Sequence, residues 1–146
     1  MKGRSKEVTS RIMSSIKSKN TKPELLLRKS LWKLGVRYRI HSNILGKPDL
    51  CIKKYKIAIF IDGDYWHGNN WRIRGLKNLD EELKTYSQFW KNKILNNIER
   101  DKYVSSELER NGWKVIRIWE SLIIIDVVQY ANKIKIEIDK RKREFA

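Results

Sequence analysis

The segment Ile57-Ala58-Ile59-Phe60-Ile61 is an uninterrupted apolar run in a chain whose residues are 34% charged. A strand with one face in water alternates apolar and polar residues, whereas a strand covered on both faces does not. This run therefore calls for a sheet with helices on both sides. The flanking sequence offers them. Thr21-Lys22-Pro23-Glu24 combines a hydroxyl N-cap, a proline tolerated in a first turn and a carboxylate where a capping box wants one. Leu27, Leu31 and Leu34 follow on one face with Gly35 as the stop, a helix of about fourteen residues.

Val36-Arg37-Tyr38-Arg39-Ile40 alternates apolar and basic residues, the pattern of a half-exposed strand. Gly46-Lys47-Pro48-Asp49 reads as a turn. Leu50-Cys51-Ile52 begins a second strand, joined to the apolar run by a tight connection over residues 53–56. Residues 68–82 carry glycine, asparagine and charge and read as a loop. A helix is expected from about Ser87 to Asn111, with Trp90, Ile94, Ile98 and Leu108 among its apolar positions and Gly112 closing it. Trp113 to Glu120 is a further strand, after which Ser121 caps a last helix carrying Ile124, Val127, Val128, Ala131 and Ile134. The order is helix, three strands, helix, strand, helix: an α/β fold with a mixed sheet flanked by helices. It is read as one domain over 21–138, with a basic N-terminal arm over 1–20 and a basic tail over 139–146.

Lysine and arginine number 33 against 17 acidic residues, a net charge of +16. That excess favours a polyanion, because each cation that meets a phosphate releases a condensed counterion. The arm contains Lys17 and Lys19, with Ile12, Met13 and Ile16 at helical spacing. It reads equally as a segment ordered by DNA or as a frayed terminus. The single cysteine, Cys51, excludes an internal disulfide and a zinc-binding cysteine cluster, and reads as a small core residue. There is no run long enough for a membrane span and no signal-type leader, so the expected compartment is the cytoplasm.

Against this basic background a few acids stand at the ends of buried strands. Asp49 follows Pro48 at the start of one, and Asp62 and Asp64 end the next. If the two strands pair as a hairpin, Asp49 and Asp62 come to one sheet edge. Carboxylates there need a partner to offset desolvation, either a salt bridge or a hard divalent cation. Such a cation serves phosphodiester hydrolysis by polarising the phosphoryl group. His67 lies one short turn beyond Asp64, where a neutral imidazole can take a proton from an attacking water; the alternative is a surface histidine in an aromatic turn. Tyr65, Trp66, Trp71, Tyr86, Phe89 and Trp90 cluster nearby and can stack on or wedge between bases, or pack in the core.

The series Lys17-Ser18-Lys19-Asn20-Thr21, Glu24, Gly46-Lys47-Pro48-Asp49, Phe60-Ile61-Asp62-Gly63-Asp64-Tyr65-Trp66-His67, Phe89-Trp90, Asn97-Ile98-Glu99-Arg100-Asp101, Gly112-Trp113 and Ile118-Trp119-Glu120 resembles the very-short-patch repair (Vsr) endonucleases. The resemblance implies a restriction-endonuclease-like fold, a variant of the PD-(D/E)xK core. It implies Mg²⁺ (or Mn²⁺)-dependent nicking of one strand beside a T·G mismatch in double-stranded DNA. By the same resemblance Asp49 is the main metal ligand, the backbone carbonyl of Ile61 joins it, and His67 is the base or positions the water. Glu24 and Asp101 orient water or histidine. Tyr65, Trp66 and Trp90 form an aromatic wedge, while Lys17, Lys19 and Lys47 contact DNA. Two departures stand out. Asp62 replaces a second histidine of the best-known members, and can add a metal ligand or lower the need for a base. Asp64, Gly68 and Ser121 stand where those members bind a structural zinc, so no zinc is expected.

Two other readings remain open. One is a nicking or restriction-type nuclease without mismatch dependence. The other is a non-catalytic basic DNA-binding domain. A monomer is expected, and association with a cytosine methyltransferase is left open.

Overall fold

The computed structural model of the chain describes residues 20–146. The residues of the basic arm before Asn20, among them Lys17 and Lys19 and the apolar positions Ile12, Met13 and Ile16, lie outside the described residues.

The apolar run is strand β2 (Ile57–Asp62), the middle of a three-stranded sheet ordered β1-β2-β3. Strand β1 (Leu50–Ile52) pairs with it antiparallel, with Leu50 opposite Ile59; β3 (Lys114–Trp119) pairs parallel, with Phe60 opposite Arg117. The sheet is thus mixed, as the pattern requires. Side chains of β2 alternate between two cores. Ile57 and Ile59 pack with Leu27 and Leu31 of α1 (Lys22–Lys33) and with Ile134 and Ile138 of α6 (Val127–Glu144). Ala58 and Phe60 pack with Val104 and Leu108 of α4 (Gln88–Arg110) on the opposite face. Cys51 is a fully buried core residue. Among the described residues no helix is long and apolar enough to cross a membrane.

Five local expectations are corrected. First, residues 36–40 form no strand: Arg39 alone pairs, exchanging two backbone bonds of 2.9 Å with Cys51. His41 then turns the chain at φ +55°, and Arg37 stacks on Trp32 at 3.5 Å, holding the segment against α1. Second, residues 68–82 contain two short helices, α2 (Asn70–Ile73) and α3 (Leu79–Leu83). The Trp71 N–H donates to the fully buried Glu82 at 2.6 Å and ties them together. Helices of one turn leave no periodic pattern to read.

Third, the last helical region is two helices. Ser121 lies inside α5 (Glu120–Ile125), and the chain breaks at Asp126, whose carboxylate caps α6 through the Gln129 N–H at 3.1 Å. Fourth, the basic run at the C-terminus continues α6 to Glu144 rather than forming a separate tail. Arg141 donates to the carbonyls of Tyr55, Lys56 and Gly112, pinning the β1–β2 connection to the entry of β3. At the start of α1 the capping is also displaced. Thr21 is the N-cap but makes no side-chain cap bond, and Glu24 instead accepts from the Asn20 N–H at 2.9 Å.

Candidate active site

The antiparallel β1–β2 pairing places Asp49 beside the outgoing end of β2. The Gly46 turn (φ +77°) delivers it, in a place where a Cβ would run into the side chain of Val104. Asp49 Oδ2 accepts a 2.6 Å bond from the Ile61 N–H. Glu24, from the first turn of α1, faces the same carboxylate while accepting from Arg28 at 3.1 Å. Burial pushes the Asp49 carboxyl up to about 7; repulsion from Glu24 and Asp62 adds to this and the Ile61 N–H opposes it. A carboxyl raised in this way gains from a cation brought beside it. The oxygen-only donor set therefore fits a hard divalent ion.

Beyond β2 the chain forms a tight turn in which the His67 N–H returns to the Gly63 carbonyl at 3.1 Å. The turn is fastened at two points. Asn97 of α4 donates to the Trp66 carbonyl at 3.0 Å. The buried Asp64 accepts from Asn69 at 2.7 Å and from the Ser121 hydroxyl at 2.9 Å. The turn presents His67 to α4, where its Nδ1 makes a short hydrogen bond with Asp101 Oδ2. Burial of the imidazole lowers its proton affinity, but the Asp101 bond and the charges of Asp62 and Asp101 outweigh that, and the net shift is upward. With Nδ1 engaged as the donor, Nε2 of the neutral ring is the acceptor, and no partner holds it among the described residues.

Asp62 stands between these groups, its Oδ1 3.9 Å from His67 Nδ1. Burial raises its carboxyl against the opposing charges of His67 and Arg117. Arg117 binds both its oxygens, at 2.9 and 3.2 Å. Ligand atoms of Asp62, His67 and Asp101 all lie within 4.8 Å of one another and form a second group able to hold a metal ion.

These residues line one cavity of about 410 Å³ that contains Glu24, Asp49, Asp62, His67, Asp101 and Arg117. Lys47, Lys93 and Arg100 also line it and supply positive charge for a phosphate-bearing substrate. Glu24, Asp49, Asp62, Asp101 and His67 therefore converge, whereas Asp64 is turned to Asn69 and Ser121 instead. Ile61 contributes backbone at the same place. The aromatics divide. Trp66 lines the cavity and meets Trp90 edge-on at 5.4 Å. Trp90 is only 9% exposed and packs with Leu83 and Ile94, whereas its neighbour Phe89 is 65% exposed. Tyr65 is half-buried against the same cluster.

From the sequence alone no role falls to Arg117 or Lys93, and Asn97 and Arg100 enter only within the series that carries the resemblance. Arg117 left a signal of its own, a cation inside the apolar strand Val115-Ile116-Arg117-Ile118. The others are ordinary polar positions of a long helix.

Residues 3–73, which hold Glu24, Asp49, Asp62 and His67, match the family model described as DNA mismatch endonuclease Vsr. The chain is 48% identical over 128 residues to the Type II nicking enzyme V.HpaIIP of Haemophilus parainfluenzae, covering 87% of this chain and 84% of that protein. It is 44% identical to the Type II nicking enzyme V.NmeDIP of Neisseria meningitidis serogroup C, over 88% and 84% of the two chains. It is 30% identical to the DNA mismatch endonuclease Vsr of Escherichia coli strain K12, over 79% and 70%.

Proposed function

The chain belongs to the Vsr family of DNA mismatch endonucleases, and from that premise we propose that it nicks one strand of duplex DNA beside a T·G mismatch with Mg²⁺ as cofactor. It is a DNA endonuclease, a hydrolase of phosphodiester bonds. One observation carries the proposal: Asp49 and Glu24 face the His67–Asp101 pair across a single cavity lined by cations.

In this reading Asp49 and the Ile61 carbonyl would hold the divalent ion, with Asp62 available beside them. When bound, the ion polarises the scissile phosphate and stabilises the leaving oxygen. Asp101 holds Nδ1 of His67 so that Nε2 accepts a proton from the attacking water. Glu24 orients that water. Lys47, Lys93 and Arg100 draw in the DNA backbone, and the basic arm over 1–20 grips the duplex. Trp66 and Tyr65 belong to the aromatic surface that meets the bases next to the cut, with the buried Trp90 packed behind them. The β1–β2 hairpin with Pro48-Asp49 at its mouth supports a restriction-endonuclease-like core in which the Ile61 carbonyl takes a place beside the metal. The protein works as a monomer in the cytoplasm, since one strand cut needs one such site.

A second reading keeps the nuclease and drops the mismatch. It is favoured by the names of two relatives, Type II nicking enzymes rather than mismatch endonucleases. A non-catalytic DNA-binding domain explains the charge, but not the carboxylates of Glu24, Asp49, Asp62 and Asp101 gathered where phosphate must approach.

The deciding experiment incubates the protein and Asp49→Ala with Mg²⁺ and two labelled duplexes that differ only by a T·G mismatch, in several sequence contexts. A nick on the thymine strand of the mismatched duplex alone supports the first reading. Equal cutting of both moves the second to first place. Tight binding without cutting overturns both.

A further inference from the structure

Arg117 occupies the centre of β3, opposite Phe60, with apolar neighbours on the strand. A charge in such a place must be paired and hydrogen-bonded. Its Nε donates to the Ser105 hydroxyl at 2.8 Å, Nη1 to both oxygens of Asp62, and Nη2 to the Asp101 carbonyl at 3.3 Å. The guanidinium lies 4.2 Å from the centre of the Phe60 ring, and Nη1 is 3.6 Å from Asp101 Oδ1. Each nitrogen is therefore committed to the protein, which sets Arg117 apart from a clamp on DNA phosphate.

The contacts join the end of β2, through Asp62, to two positions one turn apart on α4, Asp101 and Ser105. They also settle a competition. Asp62 Oδ1 and Asp101 Oδ2 are both acids facing His67 Nδ1, at 3.9 Å and in direct hydrogen bond respectively. The guanidinium holds both Asp62 oxygens, and that leaves Asp101 as the partner of the ring.

We propose that Arg117 is a positioning residue for strand cleavage: it anchors Asp62 and Asp101 and, through Asp101, holds His67 as the Nδ1–H tautomer with Nε2 open to the attacking water. The role rests on the reading of His67 as the proton acceptor. Lysine can replace it only in part, since one ammonium cannot serve Ser105, both Asp62 oxygens and the Asp101 carbonyl from a single point.

The test uses Arg117→Met and Arg117→Lys in the full chain. Three quantities are measured: the single-turnover nicking rate, the duplex Kd, and the His67 tautomer by long-range ¹H–¹⁵N spectra at a pH where the ring is neutral. The expected result for Arg117→Met is a rate loss of about 10- to 100-fold. Kd should stay within about twofold, and the single Nδ1–H tautomer should give way to a mixture, with Arg117→Lys in between. If Arg117→Met does not fold, Arg117→Lys decides by the same readings. A tautomer unchanged in the folded variants overturns the proposal. So does a weakened Kd that accounts for the whole loss of activity, which would make Arg117 a DNA contact. Should His67→Ala nick at the wild-type rate, the base assignment falls, while the tautomer spectra still decide what Arg117 does.

Discussion

The Ile61 N–H donates to Asp49 Oδ2 at 2.6 Å, so the carboxylate at the mouth of β1 is held by the strand that also carries Asp62. Asparagine at position 49 keeps an oxygen for that bond and removes only the charge. Asp49→Asn is therefore expected to fold and bind duplex DNA, yet to lose about 1000-fold in nicking rate, about 4 kcal/mol of barrier. The substitution also relieves crowding with Glu24 and Asp62. A carboxyl raised to about 7 in the folded chain from an ordinary 3.8 holds its proton more tightly when folded, so stability falls as pH rises from 3.8 to about 7 and the full cost is present above that. At pH 8 in EDTA the variant should melt higher than wild type. Adding Mg²⁺ or Mn²⁺ should raise the wild-type Tm and leave the variant unmoved.

Nicking should rise with pH. Asp49 must lose its proton to bind a cation, and His67 must be neutral to accept one. Both carry raised values, Asp49 to about 7 and His67 upward from 6.5. The single-turnover rate at low metal should climb through neutral pH with two protons involved. Saturating metal competes with the proton on Asp49 and should shift that limb to lower pH, leaving the limb of His67. A rate that falls between pH 6 and 8 would contradict both roles.

Much of this site was legible because its chemistry conflicts with its surroundings. Asp49 and Asp62 are acids at the ends of buried strands in a chain of net charge +16, and the β1–β2 hairpin was enough to bring them together. Strand β2 followed from its unbroken apolar run, and the helices α1 and α4 from periodicity. Arg117 did not, because its role comes from the parallel register that sets it across from Phe60 and next to α4. The one-turn helices α2 and α3 were also silent, and so was the break at Asp126. The alternating segment 36–40 misled, since alternation marks a face but does not supply a partner strand, and His41 turns the chain after one pair.

The Asp64 cluster is predicted to fasten the turn that carries His67. Asp64→Ala leaves the Asn69 amide and the Ser121 hydroxyl without their acceptor in a buried place, and should cost about 3 kcal/mol in urea unfolding. Ser121→Ala removes one bond and should cost about 1 kcal/mol. Because the two residues bond each other, the double variant should cost less than the sum. Additive losses would show that the contact does not couple the turn to α5.

Phe89 and Trp90 are neighbours with opposite surroundings, and substitution should separate their roles. Trp90 packs with Leu83, Ile94 and the edge of Trp66, so Trp90→Ala should cost about 3–5 kcal/mol of stability. Phe89 projects from the same turn of α4 with Lys93 6.0 Å from its ring. Its removal should leave the Tm nearly unchanged. If this exposed ring is what stacks on a base displaced at the mismatch, Phe89→Ala should weaken binding to the T·G duplex by about 1–3 kcal/mol and to the matched duplex by less. Equal weakening of both would make Phe89 a sequence-blind stacking platform, in accord with nicking that ignores the mismatch. No effect on either would return the wedge to Tyr65 and Trp66, which sit on the same turn as His67 and would then couple recognition to the proton acceptor directly.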